Sequence, residues 1–392
     1  IGGLIARSTE AARTRRALAE AEQVRDFMVG LFEGADPERK IGESLTVREL
    51  LDQGTERLRS ELTGQPLTRA RFLQTLGAMY TKLGELGLAA EVVREALELR
   101  REHRPPGHPE IVESESELGV IYRRLGRLAE AEPLLRSVLS ARQADPDVDP
   151  ELLARAFSNL GNLRWSRERF EEAEALHRQA LALRRENARR LATDQALSDE
   201  AISANNLGVM LLGRRRYSEA RTALERAVVL FRAQDHALLG SALNNLGMAE
   251  RELTTWERAE GLFREAIEVH EATVGPAHDR PLRSHRSLIH ELLLRHRFDE
   301  AVAEGRQAAA QAETLDDAGH LAYVLLDLGF AQLRSGRLED AAATMARSVT
   351  VSTEALGAEH PVTLRCRGHL AWVRAKLGQV EDGLAALEEV DR

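Results

Sequence analysis

Apolar and small residues recur along the chain at helical spacing, in blocks that come in pairs. The segment from Ser203 to Val228, SANNLGVMLLGRRRYSEARTALERAV, shows the unit. Leu207, Gly208 and Leu211 share one stripe. Ala220, Leu224 and Ala227 share another, and Gly213 to Tyr217 form the turn between them. Helices come within roughly 8–10 Å of each other only where small side chains meet. Gly208, Ala220 and Ala227 are therefore expected contact points in an antiparallel hairpin. One such hairpin leaves an apolar face bare, so copies must stack on it.

Copies are found from Thr63 onward. The small residue of the first helix falls at Gly77, Gly119, Gly161, Gly208, Gly247, Ile289, Gly329 and Ala371, with Ile289 the one bulky member. The intervals are 42, 42, 47, 39, 42, 40 and 42 residues. Twelve residues after each comes Ala89, Ala131, Ala173, Ala220, Ala259, Ala301, Ala341 and, last, Gly383. The pattern predicts an all-α fold, a right-handed superhelical solenoid of about eight hairpins over residues 64–392, preceded by a helical lead-in or cap over residues 1–63. The 47-residue interval predicts an exposed loop from Glu186 to Asp199.

In the lead-in, Thr9 to Phe32 has the stripe of an amphipathic helix that stops at Gly34-Ala35-Asp36-Pro37. Thr46-Val47-Arg48-Glu49 has the form of a capping box opening a second helix through Leu50, Leu51, Leu58 and Leu62. At the other end, Glu381, Asp382, Glu388, Glu389 and Asp391 make the last helix polar enough to serve as its own cap. Leu384, Leu387 and Val390 offer a surface for self-association.

The paired-helix pattern resembles tetratricopeptide repeats. Those usually repeat every 34 residues, and the 42-residue period is more similar to the longer repeats of kinesin light chains. The likeness extends to a histidine eleven residues before the small one, in Gly107-His108-Pro109, Ala277-His278 and Glu359-His360-Pro361. Residues 24–62 resemble the segment that follows the kinase domain and membrane helix in large bacterial serine/threonine kinases of the eukaryotic-like type. Phe27, Leu31, Phe32, Asp36, Pro37, Thr46, Glu49, Leu50, Leu51 and Gly54 carry that likeness. It implies a regulatory or sensory region, anchored to a membrane through a segment upstream of Ile1. The side of the membrane is left open.

Composition narrows the partners. The net charge of −9 argues against general affinity for nucleic acid or an anionic membrane surface. Only Lys40, Lys82 and Lys376 are lysines, so arginine supplies 51 of the 54 basic residues, which looks like a GC-rich bacterial source. With Cys366 the only cysteine, an internal disulfide and a Cys-x-x-Cys site are both impossible. No run of about 18 apolar residues is present to span a membrane. The opening Ile1-Gly2-Gly3-Leu4-Ile5 reads like the tail of a longer apolar segment.

Catalytic motifs fail residue by residue. None of the lysines is followed by Ser or Thr, and Gly-x-Gly-x-x-Gly, His-Arg-Asp, Asp-Phe-Gly and Gly-x-Ser-x-Gly are all missing. His285, His290 and His296 lie five and six residues apart, which is the wrong spacing for a zinc helix. The chain therefore reads as a non-enzymatic scaffold with no cofactor or metal.

Its expected partner is a protein, held as a peptide or helix in a groove around repeats three to five. Asn159, Asn162, Asn205, Asn206, Asn244 and Asn245 stand beside the small residues of the first helices. Their amides can pair with a peptide backbone, or they can bridge neighbouring helices. Met248, His290, Phe330 and Trp372 are the expected anchors of the groove, with Trp165, Tyr323 and His369 on the same side.

Overall fold

The computed structural model describes residues 46–315 and 317–379, and among them sixteen α-helices and no strand. The expected helix from Thr9 to Phe32 lies outside the described residues. So do Gly383 and the polar last helix with Leu384, Leu387 and Val390. Helix α1 (Val47–Glu61) comes first. Eight first helices follow: α2 (Pro66–Lys82), α4 (Pro109–Arg124), α6 (Pro150–Ser166), α8 (Asp194–Gly213), α10 (Leu239–Glu252), α12 (Asp279–Leu294), α14 (Ala318–Arg334) and α16 (Pro361–Lys376). Their hairpin mates are α3 (Leu86–His103), α5 (Leu128–Ala144), α7 (Phe170–Leu191), α9 (Tyr217–Ala233), α11 (Trp256–Val274), α13 (Phe298–Glu313) and α15 (Leu338–Leu356). The chain forms two compact units, divided between Ala180 and Leu181.

Local chemistry sets the helix ends. Thr46 and Glu49 close the expected capping box: the Glu49 N–H donates to Thr46 Oγ1 at 3.2 Å, and the Thr46 N–H donates to Glu49 Oε2 at 2.9 Å. The recurring histidines are caps too. Nδ1 of His108, His278 and His360 accepts from the backbone N–H two residues on, at 3.2, 3.2 and 3.3 Å. His236, at the same offset before Gly247, accepts from the Leu238 N–H at 3.1 Å.

Every first helix ends alike. The residue seven after the small one takes a positive φ after all eight first helices: Gly84, Gly126, Glu168, Arg215, Thr254, His296, Gly336 and Gly378. The next N–H reaches back to the carbonyl five residues earlier, as from Glu85 to Tyr80 at 2.9 Å and from Thr255 to Glu250 at 3.0 Å. This is a Schellman turn, in which one residue must be left-handed. Thr254 (φ 62°) is the poorest occupant, because its branched Cβ crowds that conformation. Thr254→Gly is expected to stabilise the protein by about 1 kcal/mol, read as a raised urea midpoint with unchanged slope.

Packing within the hairpins follows the small residues. All seven offset alanines that fall in the described residues, Ala89 to Ala341, are fully buried. A Cβ added at Gly77, Gly119, Gly161, Gly208, Gly247 or Gly329 would lie 2.3 to 2.7 Å from the side chain sixteen residues on: Val93, Leu135, His177, Leu224, Phe263 or Met345. Each glycine is therefore a slot for one side chain of the second helix. The sixth hairpin reverses the volumes. Ile289 is fully buried, and the residue at offset sixteen is Gly305, where an added Cβ would lie 3.0–3.3 Å from Leu328 of α14.

The long interval is not a loop. Its extra residues extend helices, giving α7 22 residues and α8 20 residues, with only Ala192 and Thr193 between them. Arg184 and Glu200 hold this extension together in the second unit: Arg184 donates to Ser203 Oγ at 2.7 Å, and buried Glu200 accepts from Arg226 at 2.9 Å. Cys366 is buried, with Ser348 Oγ 3.1 Å from its sulfur, and burial pushes the thiol up. Among the described residues no helix is long and apolar enough to cross a membrane.

Candidate functional site

The crossing residue of each first helix fixes what its neighbours meet. In each junction where such a contact is seen, the residue two before the crossing point of one first helix faces residues of the preceding first helix. The residues it meets there stand three before, or one after, that helix's own crossing point. In the first unit Gln74 donates to Glu117, and Asn159 donates to Ser116 Oγ at 3.4 Å. In the second unit Asn245 Nδ2 donates to Asn205 Oδ1 at 3.1 Å.

On the next pair of helices with this contact, Asp327 of α14 accepts from both Arg286 (2.5 Å) and His290 (3.2 Å) of α12. His369 of α16 packs its ring 5.7 Å from that of Phe330 on α14. The polar pairs differ in every case, so only the register is common.

Electrostatics sharpen one of these clusters. Burial pushes the Asp327 carboxyl up, but the hydrogen bond from His290 and the charge of Arg286 outweigh it and hold the carboxyl below its usual range. Asp327 therefore stays charged. Arg286 also lies over the Tyr323 ring at 4.7 Å, so this expected groove residue already has an internal partner. Burial, then the nearby charge of Arg365, lowers His369, keeping its ring neutral and suited to packing on Phe330.

The expected asparagines thus divide. Asn159, Asn205 and Asn245 bridge neighbouring first helices. Asn162 and Asn206 are half-buried on α6 and α8. Asn244 is different: its Nδ2 has only the Met248 sulfur, 4.0 Å away, and its buried Oδ1 has no hydrogen-bond partner. Trp165 is half-buried with its ring edge-on to Phe170 at 4.7 Å.

The expected anchors share one position in the second unit. Met248, His290, Phe330 and Trp372 each stand one residue after the crossing point of α10, α12, α14 and α16, a position that Val209 holds on α8. Between α10, α12 and α14 this face holds a depression of about 370 Å³, lined by Arg251, Glu252, His290, Leu293, Leu294, Phe330 and Arg334. Leu294 at 58% and Trp372 at 49% are among the most exposed large apolar side chains of the described residues. Lys376 lies 5.3 Å over the Trp372 ring. Sequence reasoning found His290 and Phe330 but missed Arg251, Leu294 and Arg334, which join them only because they lie one helical turn further along the same face.

Paired helices with small-residue crossings, repeated through both units, define a helical-repeat protein. A family model for the tetratricopeptide repeat matches residues 68–144, 110–186, 199–272 and 320–390, and the chain belongs to that family. The unmatched stretch between 272 and 320 contains the sixth hairpin, with its reversed Ile289 and Gly305. No curated protein matches the chain.

Two of three similar solved structures, those with TM-scores above 0.5, agree on the fold. A signal-transduction ATPase with numerous domains and a tetratricopeptide-repeat sensor, from Pyrococcus horikoshii, has a TM-score of 0.60 and 13% identity over 90% of this chain and 53% of its own. Aspartyl phosphate phosphatase F from Bacillus subtilis has a TM-score of 0.53 and 13% identity over 95% of this chain and 93% of its own. A putative kinesin light chain from Podosopora anserina, with nearly identical TPR-like repeats, has a TM-score of 0.43 and 22% identity over 48% of this chain and 92% of its own.

Proposed function

We propose that the protein is an interaction scaffold that holds an extended peptide of a partner protein on the first-helix face of its second unit. One observation carries this reading: the depression between α10, α12 and α14, lined by Leu294 and Phe330 together with Arg251 and Arg334. An apolar side chain enters beside Leu294 and Phe330, and the guanidinium groups of Arg251, 3.5 Å from Glu252, and of Arg334, over the Phe298 ring, suit a carboxylate of the same ligand. No bond is made or broken. The proposed groove sits over repeats five to seven, further along the chain than the asparagine pattern alone suggests.

Peptides selected from a displayed library against the whole chain test the proposal. Phe330→Ala is expected to weaken the selected binders by about tenfold or more and, because His369 packs on this ring, to lower the melting temperature as well. Leu294 is exposed, so Leu294→Ser is expected to weaken them with the melting temperature little changed. Binders that are indifferent to Phe330→Ala and to Leu294→Ser would place recognition elsewhere.

A second reading has this chain as the regulatory region of a membrane-anchored serine/threonine kinase. It rests on the resemblance of residues 24–62, within which the capping box at Thr46 and Glu49 forms. The encoding sequence upstream of Ile1 decides it: a kinase domain and apolar helix there support the reading, and a coding start with neither sinks it.

A further inference from the structure

The fold fixes one hydrogen-bond acceptor in the depression of the second unit. His290 lines the depression with 49% of its side chain exposed, and its Nε2 lies 3.2 Å from Oδ1 of Asp327. Asp327 is buried, stays charged, and accepts from Arg286 through its other oxygen. A carboxylate only accepts, so the hydrogen of the neutral imidazole sits on Nε2 and the lone pair is left on Nδ1. Asn159 and Asn245 hold the equivalent place on α6 and α10. An amide can offer a ring either of its groups, whereas the carboxylate of Asp327 removes the choice.

The surroundings of this acceptor restrict what can reach it. Leu293, Leu294 and Phe330 line the depression with apolar surface, and Arg251 and Arg334 line it with positive charge. Glu252, the remaining lining residue, lies 3.5 Å from Arg251. A lysine would bring its donors against two guanidinium groups. Serine and threonine are too small to cover the apolar lining. A phenol has a large apolar body and a neutral donor at its tip.

We infer that the side chain entering the depression is a tyrosine, whose ring packs beside Leu294 and Phe330 and whose hydroxyl donates to Nδ1 of His290. Asp327 is the positioning residue: it lies outside the depression and acts through the tautomer it imposes on His290. This rests on the docking face proposed above and adds the chemistry that selects its ligand. A site built around an acceptor rejects the analogue that lacks the donor, because the acceptor is then left unpaired.

Peptides selected from the displayed library against the whole chain are the probe. Their anchor is the position whose replacement by alanine loses most of its effect in Leu294→Ser. That position is occupied in turn by tyrosine, phenylalanine, para-aminophenylalanine, which supplies a donor, and para-cyanophenylalanine, which supplies only an acceptor. On the unmodified protein, tyrosine and the amino analogue are expected to bind about tenfold more tightly than phenylalanine, and the cyano analogue no more tightly. In Asp327→Asn, Arg286 has only donors and takes the amide oxygen, so the amide N–H faces His290. The hydrogen of the ring then moves to Nδ1. The advantage of the amino analogue is expected to vanish there, and the cyano analogue to bind more tightly than phenylalanine. A merely structural role for Asp327 would weaken all four alike. His290→Leu is expected to erase the difference between tyrosine and phenylalanine, which keeps the test sharp if Asp327→Asn folds poorly. Peptides that weaken in Leu294→Ser but bind equally well with phenylalanine, or keep their donor preference in both variants, overturn the inference and leave the docking face standing. Peptides indifferent to Phe330→Ala and to Leu294→Ser overturn both.

Discussion

Gly247→Ala is expected to destabilise the protein by about 1–2 kcal/mol, and the same substitution in a Phe263→Ala background is expected to stabilise it by about 1 kcal/mol. The reversal follows from the slot. A Cβ at Gly247 would stand 2.6 Å from Cε1 of Phe263, whose ring is fully buried among Ile267, Leu282, Leu288 and Ile289 and has no room to retreat. Overpacking of this kind typically costs 1–3 kcal/mol, roughly, against a gain of about 1 for replacing glycine within a helix. With Phe263 truncated the clash is gone and the helix gain remains. Phe263→Ala alone is expected to cost about 3–5 kcal/mol. Urea unfolding of the four members of this cycle measures the coupling. If the alanine is equally harmful in both backgrounds, the glycine is needed for something other than the ring.

That slot also shows why some of the fold is legible in the sequence and some is not. A helix crossing admits only very small side chains, so Gly208 and Ala220 leave a fixed signature at each copy, and the period can be read from it. The side chain that fills the slot is free to vary as long as its volume suits. Val93, Leu135, His177, Leu224, Phe263 and Met345 share no pattern to read. Ile289 looks like an error in the repeat until Gly305 is seen at the offset where the other hairpins carry bulk. The stretch from Glu186 to Asp199 was misleading for a related reason. Added length between repeats signals a loop only if the added residues cannot continue a helix, and Glu186 to Leu191 continue one readily.

The candidate site was legible to the extent that it depends on position along one helix. His290 and Phe330 could be placed beside their crossing residues. Which asparagines are free could not, because that depends on the partner across the junction. Asn205 and Asn244 occupy the same place in successive repeats, yet Asn205 meets Asn245 and Asn244 meets a serine that bonds elsewhere. Identical residues at equivalent positions therefore differ in what they bond through what stands opposite, which a single sequence does not display.

Acid is expected to weaken the second unit through His270, by about 3 kcal/mol between pH 7 and pH 4. His270 of α11 is buried, and the two ring nitrogens lie 3.2 Å from Ser284 Oγ of α12 and Ser241 Oγ of α10. Its ring fills the space where a Cβ at Gly240 would stand. The titratable groups that act on it are Arg280, Asp279, His278 and Arg283 at the start of α12, and burial followed by the repulsion of Arg280 lowers it to about 4. In the unfolded chain the same ring titrates near 6.5.

Between those two values the unfolded state binds more protons than the folded one, so stability falls as the pH falls. The loss begins near pH 6.5 and is complete near pH 4, at about 1.4 kcal/mol for each unit of difference. Carboxylates titrate in the same range, so the measurement is the difference between the unmodified protein and His270→Gln, which has hydrogen-bonding groups for the two serines but no proton to gain. The gap in stability between the two should narrow or change sign on acidification from pH 7 to pH 4. A gap that does not change with pH would mean that His270 remains neutral in the unfolded chain or gains its proton without strain in the folded one. Either result would remove the buried imidazole as the source of acid sensitivity.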